Sequence, residues 1–185
     1  MIFHISMSFG EVPALWKEAL VTAIPKDTTS LSLSSYRPIS ITSPPVKVLE
    51  KLIRDKLSSW FKNNNVIPVE QHGFTPSAST ATQLADTLYD WKIAINDGNS
   101  VDVIYFDLSK AFDKVSHQKL LYKLSHLGVR GPLLNWLRSY LDGRNMCVKV
   151  ENSFSERYPC TSGVPQGGVL SPLLFLAYTY DLLLS

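Results

Sequence analysis

Two polar residues, one carboxylate and one amide, lie in sequence surroundings that are typical of catalytic or ligand-binding sites. The carboxylate is Asp107, which follows the run Val-Asp-Val-Ile-Tyr-Phe at residues 101–106. The amide is Gln166, set among the glycines and prolines of Ser-Gly-Val-Pro-Gln-Gly-Gly-Val-Leu-Ser-Pro at residues 162–172. Carboxylates are the ligands that magnesium prefers, and glycine lets a ligand approach the main chain closely. Asp107 on its own fits equally well a solvated turn residue or a helix cap. Its role therefore depends on the secondary-structure elements around it.

The run before Asp107 predicts a buried strand. Residues 101–106 are mostly β-branched or aromatic, and their side chains alternate between two faces. In α/β folds the carboxyl end of a strand holds the backbone firmly while the following loop stays open to a ligand. We therefore expect Asp107 at the rim of a small sheet.

Apolar residues at helical spacing predict two helices before this strand. The first begins after Ser43, a candidate N-cap followed by two prolines, and its apolar stripe ends at Phe61. The second begins with a capping box, Thr80-x-x-Gln83, and ends at Asp97-Gly98. The predicted buried stripe of this second helix comprises Leu84, Leu88, Trp91 and Ile95.

The rest of the chain adds helices and a strand pair. Further helices are expected after Ser116, from Pro132 and over residues 173–183. Residues 36–40 are predicted to be extended because Pro38 disfavours a helix, and residues 145–150 and 154–160 predict an antiparallel pair. Residues 9–24 fit a helix or a strand. This order predicts an α/β (α+β) fold with helices packed on a small, mostly antiparallel sheet.

The first long helix also carries a basic face. Five cations, Lys47, Lys51, Arg54, Lys56 and Lys62, lie opposite the apolar stripe, with Glu50 and Asp55 as the only acidic residues among them. Such a face is equally a solvated surface or a track for a phosphate backbone. The net charge of +2 does not by itself indicate nucleic acid.

Composition excludes several other classes. Cys147 and Cys160 form no CxxC pair and the four histidines have no metal-site spacing, which argues against zinc and disulfide scaffolds. The apolar run 169–184 contains Pro172 and Asp181, so it predicts a buried helix and no membrane contact. The N-terminus lacks the features of a secretory signal, which predicts an intracellular protein. No P-loop or hydrolase motif is present.

Six segments together resemble the reverse transcriptase domain of non-LTR (LINE-like, jockey/CR1-type) retrotransposons. In order, they are WKEALVTAIPK, YRPISITSPPVKVLEKLI, QHGF, YFDLSKAFDKVSH, LGVRGPLLNWLRSYLDGR and SGVPQGGVLSPLLF. The resemblance implies a right-hand polymerase, with fingers in residues 1–100 and part of the palm in residues 101–185. It implies nucleotidyl transfer from a dNTP to a DNA primer 3′-hydroxyl along an RNA template, assisted by two Mg²⁺ ions.

The resemblance also assigns roles by position. Asp107 and the backbone carbonyl of Leu108 are implied metal ligands, and Phe112 matches the steric gate that excludes a 2′-hydroxyl. Asp113 is expected to brace the turn by a hydrogen bond. The implied nucleotide-binding residues are Lys26, Arg37, Phe112, Gln166 and Gly167. The implied template-binding residues are Gly73, Phe74, Lys47, Lys51 and Arg54.

Two departures from the family pattern bear on activity. The loop after QHGF carries Thr75 and Ser77 where relatives tend to have a basic residue, which weakens the expected template grip. The A/F/Y-x-D-D box is absent, and Asp181 is the only aspartate after Gln166. With one of three carboxylates we expect poor Mg²⁺ binding and no polymerisation by this chain alone. The alternatives are a non-catalytic RNA- or template-binding relic or co-opted module, and a product without a role.

Overall fold

A five-stranded sheet forms one layer of the computed structural model, which describes residues 1–26, 32 and 35–182. Most of the predicted loop 27–35 and Leu183 lie outside the described residues. The strands are β1 (Glu18–Pro25), β2 (Tyr36–Thr42), β3 (Arg144–Val150), β4 (Ser153–Phe154) and β5 (Tyr158–Cys160). The stretch 9–24, for which the sequence left both types open, forms a short 3₁₀ turn, Ala14–Trp16, and then most of β1.

The sheet is mixed and mostly antiparallel, as predicted. Strand β2 pairs antiparallel with β1, and β1 pairs parallel with β3. Strands β4 and β5 both pair antiparallel with β3, on its other edge. The predicted return strand 154–160 is therefore present as two short pieces.

Six α-helices accompany the sheet in the described part of the chain. They are α1 (Ile2–Phe9), α2 (Pro44–Asn63), α3 (Thr80–Asn96), α4 (His117–His126), α5 (Gly131–Leu141) and α6 (Ser171–Thr179). The α/β class is thus confirmed. Of the helices described here, none is both long and apolar enough to cross a bilayer.

Local start signals explain most of the helix boundaries. The Ser116 hydroxyl accepts the backbone N–H of Lys119 at the start of α4, as predicted. The capping box of α3 lies one residue earlier than predicted. The Ser79 hydroxyl accepts the N–H of Thr82, and the Thr82 hydroxyl accepts the N–H of Ser79. Thr80 is therefore the first helical residue and not the cap.

The core lies among α2, α4, α5 and α6. Its largest members have no exposed surface, and they are Trp136, Tyr140, Phe61, Leu57, Leu120, Leu124 and Leu137. This set includes Leu120 and Leu124 of α4 and Trp136, Leu137 and Tyr140 of α5. The predicted closing helix is confirmed for residues 173–179, because α6 ends at Thr179.

Two predictions of burial are wrong. Residues 101–106 form no strand, and Tyr105 and Phe106 are 84% and 90% exposed. Helix α3 has no buried residue, and its apolar stripe includes Leu84 and Leu88 at 57% and 50% exposure. A strand needs a neighbour for its backbone N–H and C=O groups, and no described strand pairs with residues 101–106. The residue types in this run do alternate, but no element in the described part of the chain packs against residues 101–106 and buries them.

Candidate active site

The glycine-rich loop that carries Gln166 is bound on one side to the turn before α4. The backbone N–H of Gly163 donates to the Val115 carbonyl at 2.8 Å, and that of Val164 donates to the Phe112 carbonyl at 2.9 Å. The His117 imidazole Nε2 lies 2.7 Å from the Gly163 carbonyl oxygen. These contacts fix the loop against the segment that follows Asp107.

The other side of the loop is bound to strand β2. The backbone N–H of Ser40 donates to the Gln166 carbonyl at 2.6 Å. Gly167 has a φ of +106°, and a Cβ atom there would lie 2.8 Å from the Ser40 carbonyl oxygen. Glycine is required at 167 because any side chain would collide with the β2 backbone.

The side chain of Gln166 points toward the turn and not away from it. Its Nε2 donates to Oδ1 of Asp113 at 2.8 Å. The Ser162 hydroxyl donates to the Asp113 carbonyl at 2.9 Å. Asp113 thus makes the kind of bracing hydrogen bond that was expected, and its partner is the amide of the loop.

Three aromatic rings meet beside this loop. The rings of Phe112 and Phe175 stack with centroids 4.8 Å apart and planes at 15°. Phe74 meets Phe112 edge-on, with centroids 5.9 Å apart. Phe74 has a φ of +58°, a conformation that few residues other than glycine adopt, which turns the Gln-His-Gly-Phe segment back toward the gate candidate. The neighbouring Gly73 is exposed.

Asp107 lies in the extended, exposed segment before this turn. It lines a cavity of about 550 Å³ together with Leu108, Lys114, Lys119 and Phe175. Through Phe175 the cavity adjoins the Phe112 ring. Asp107 is therefore exposed to solvent and lines the same cavity as Phe175 and three lysines, Lys114, Lys119 and Lys123.

The two candidate triphosphate cations lie at the end of the β1–β2 hairpin that leads into the connecting loop. Arg37 is paired with Ile24 across the hairpin and is exposed. The Lys26 backbone N–H donates to the Ser35 carbonyl at 2.7 Å. Arg37 lies three residues before Ser40 on the extended strand, about 10 Å away between the Cα atoms. The structure therefore unites Phe112, Gln166 and Gly167, and it sets Arg37 and Lys26 further along β2 and β1.

The candidate template cations follow the solvent side of α2. Lys51 is exposed and Lys47 and Arg54 are half-buried. Arg54 donates to the Asp55 carboxylate at 2.7 Å, which neutralises part of this face. Glu50, which was counted among these charges, does not belong to the face at all.

Glu50 is a buried carboxylate that the sequence reasoning misplaced. Its side chain has no exposed surface, and Oε2 accepts the backbone N–H groups of Val169 and Leu170 at 2.6 and 3.1 Å. A helical wheel could have shown this, because Glu50 stands four residues after Val46 and three before Ile53, both in the apolar stripe. A carboxylate inside an apolar arc indicates a buried partner.

The donor set does not fit a two-metal centre. Among the described residues no group of three acidic, histidine or cysteine side chains could hold a metal ion. Asp113, the next aspartate after Asp107 along the chain, is hydrogen-bonded to Gln166. Asp107 is left as a single carboxylate, and two divalent ions need several anionic oxygen ligands.

Comparison with known families agrees with this arrangement. A family described as "Reverse transcriptase (RNA-dependent DNA polymerase)" matches residues 24–185, most of the chain. The chain belongs to the reverse transcriptase family.

Its relatives come from mobile elements. It is 34% identical over 183 residues to a probable RNA-directed DNA polymerase from transposon BS of Drosophila melanogaster, covering 98% of this chain and 20% of that protein. It is 32% identical over 183 residues to the RNA-directed DNA polymerase from mobile element jockey of the same species, with the same coverage. It is 30% identical over 179 residues to the Pol polyprotein from retrotransposable element R2 of Popillia japonica, covering 95% of this chain and 24% of that protein.

The sequence-based recognition of a non-LTR reverse transcriptase domain is therefore confirmed. The chain spans about a fifth of the length of these first relatives.

Proposed function

We propose that these residues form the nucleotide-selecting part of an RNA-directed DNA polymerase. The substrates are a dNTP, a DNA primer and an RNA template, with fingers in residues 1–100 and part of the palm in residues 101–185. One observation carries the proposal: the loop of Gln166 is fixed between Ser40 and the turn at 112–115, beside a stacked Phe112. The relatives from transposon BS and mobile element jockey are described as RNA-directed DNA polymerases, which supports the proposal.

Phe112 acts as the gate that excludes a 2′-hydroxyl. Contacts with Phe74 on one side and Phe175 on the other oppose its rotation out of the way. A ring held in place discriminates by collision, because a ribose needs space that the ring already occupies.

Gln166 and Gly167 face the incoming nucleotide. Both the carbonyl and the side-chain amide of Gln166 are already hydrogen-bonded, so the loop needs little rearrangement when a ligand arrives. Gly167 has no side chain, so its backbone packs directly against Ser40 and holds the loop in place for the nucleotide.

The basic residues supply electrostatic attraction. Arg37 suits a triphosphate because its planar guanidinium can make two hydrogen bonds to phosphate oxygens, and Lys26 adds a second charge. On α2, Lys47, Lys51 and Arg54 attract the template backbone. Gly73 and Phe74 contact the template beside the gate.

Asp107 and the Leu108 carbonyl would be the ligands that these residues offer to one of the family's magnesium ions, and such an ion would supply activation of the primer hydroxyl. Because these 185 residues supply one such carboxylate, we expect no primer extension by the purified chain with Mg²⁺ and dNTPs. The Asp107→Asn chain serves as the background control. Extension by the wild-type chain above that background contradicts the expectation.

The gate is tested by nucleotide binding to the chain itself. We expect dATP to shift the Gln166 side-chain and Gly167 backbone NMR signals at lower concentration than ATP does. Phe112→Val should remove most of this difference, while Phe154→Val, at a 61% exposed ring on β4, should leave it unchanged. Equal responses to dATP and ATP in the wild type, or unchanged selectivity in Phe112→Val, contradict the assignment.

A further inference from the structure

Glu50 contacts the end of the glycine-rich loop from the core side. It lies on α2, faces the core and is fully buried. Val169 and Leu170, whose N–H groups it accepts, are the two residues immediately before α6. The first N–H groups of a helix have no partner within the helix, and a negative charge there is stabilised by the helix dipole. A side chain of α2 thus anchors the beginning of α6.

A polar cluster surrounds the anchored loop. Tyr140 and Arg144 are buried close to Glu50, and the guanidinium Nη1 of Arg144 donates to the Tyr140 carbonyl at 3.3 Å. A Cβ atom at Gly168 would lie 2.5 Å from the Ser171 hydroxyl and 3.1 Å from that of Tyr140. The loop therefore passes directly over the hydroxyls of the cluster, with no room for a side chain.

Burial raises the pKa of Glu50, and the opposing effects of the Leu170 and Val169 N–H groups, Tyr140 and Arg144 do not cancel the rise. Burial thus disfavours the charged form of this carboxyl group. The two N–H groups at the start of α6 are the hydrogen-bond partners that compensate part of this cost.

We propose that Glu50 is a positioning residue for nucleotide selection, which anchors the start of α6 and thereby holds Gln166 and Phe175 in place. This inference rests on the proposed function. Gln166 precedes the anchored Leu170 by four residues. Phe175 follows it by five, on α6, and stacks on Phe112. One carboxylate therefore acts on both the loop amide and the ring that supports the gate.

The experiment compares Glu50→Gln with Asp55→Asn, which removes an exposed carboxylate from the same helix. Amide hydrogen exchange is measured by NMR. In Glu50→Gln, which keeps one accepting oxygen and turns the other into an NH₂ donor, we expect the Val169 and Leu170 amides to exchange severalfold faster, as for a weakened hydrogen bond. Amides of α4 should not change, and Asp55→Asn should match the wild type. A uniform rise across the protein, or no rise at 169–170, overturns the anchor.

Nucleotide titration separates positioning from simple structure. We expect Glu50→Gln to bind dATP more weakly than the wild type and to lose part of its preference over ATP. Wild-type binding that Glu50→Gln retains in full overturns the positioning role and leaves the proposed function standing. A wild type that does not respond to dATP, although Glu50→Gln frees the loop, overturns the proposed function and its nucleotide role while the anchor stands.

A second variant decides the matter if Glu50→Gln does not fold. Tyr140→Phe removes only a hydroxyl beside the carboxyl group and keeps the ring that stacks on Trp136. We expect faster exchange at residues 168–170 and a smaller loss of dATP affinity. Wild-type exchange and wild-type affinity in this variant overturn the proposal.

Discussion

Helices α3 and α4 have comparable sequence patterns and opposite surroundings. Both begin with a serine cap and both carry an apolar stripe. In α4 the stripe residues Leu120 and Leu124 are fully buried, whereas in α3 no residue is buried. The difference continues along the chain, because residues 101–108 after α3 are exposed or nearly so and residues 112–115 before α4 pack into the body. We call residues 80–108 the exposed segment.

The contrast shows what an amphipathic pattern specifies. A stripe records that a face is suited to apolar contact, but it does not say which element supplies that contact. Helix α4 finds its partners in α5 and α6, within the described residues. The apolar residues of the exposed segment have no buried partner within the described residues. This segment also carries Asp107, the candidate metal ligand.

The sharpest test of the contrast exchanges one phenylalanine in each region for alanine. Phe61 has no exposed surface and Phe106 is 90% exposed. We expect Phe61→Ala to lower the free energy of unfolding by about 3–5 kcal/mol, through lost burial and a cavity. Phe106→Ala should change it by less than about 0.5 kcal/mol. Urea denaturation measures both.

The outcome for Phe106 decides whether the regions truly differ in solution. A loss of several kcal/mol in Phe106→Ala would mean that residues 101–108 pack against something, such as a second copy of the chain. Repeating the denaturation at several protein concentrations distinguishes packing within one chain from packing against a second copy, because association makes stability depend on concentration.

Local signals in the sequence predicted much of the body. Pro38 indicated extended chain, Ser116 a helix cap, and Gly98 a helix end, because each depends on neighbours within a few residues. The loop was recognised by composition, and Gly167 does face a backbone at close range.

The errors concern contacts between distant parts of the chain. Whether residues 101–106 form a strand depends on a neighbouring strand, which their own sequence does not contain. Glu50 was assigned to the solvent face by its charge, although its partners Val169 and Leu170 lie about 120 residues away. The stacking of Phe175 on Phe112 could likewise not be predicted from either segment alone.

The two regions should also differ in their tolerance of a methyl group at a left-handed glycine. Gly163 has a φ of +86°, and a Cβ atom would lie 2.9 Å from the Asp113 carbonyl oxygen and Cα. Gly98 after α3 has a φ of +81° with nothing within 4 Å. We expect Gly98→Ala to cost about 1 kcal/mol, the backbone strain alone. Gly163→Ala should cost more than about 2 kcal/mol, because strain and collision add.

Thermal or urea unfolding of the two alanine variants gives the comparison directly. Equal losses would show that the loop at 163 has room to relax, and that the contacts with Phe112 and Asp113 are looser than their distances indicate. A larger loss at Gly98 would place the exposed segment in a packed environment.

The smallest expected difference concerns one ion pair in each region. Lys123 donates a hydrogen bond to the Asp181 carboxylate and to the Tyr178 carbonyl at 2.6 Å, joining α4 to the end of α6. The hydrogen bond from Lys123 holds the pKa of Asp181 below its usual value. In the exposed segment, Asp86 lies 3.7 Å from His72.

A carboxyl group with a lowered pKa in the folded state stabilises the protein above its unfolded pKa, and this contribution disappears as the pH falls through the folded pKa. At neutral pH Asp181→Asn should cost less than about 1 kcal/mol, because the pair is partly exposed. The gap between Asp181→Asn and the wild type should close as the pH is lowered below about 4. Over the same pH range, Asp86→Asn should lower the free energy of unfolding by less than Asp181→Asn does. A gap for Asp181→Asn that persists in acid would mean that packing of the side chain, and not its charge, joins α4 to α6.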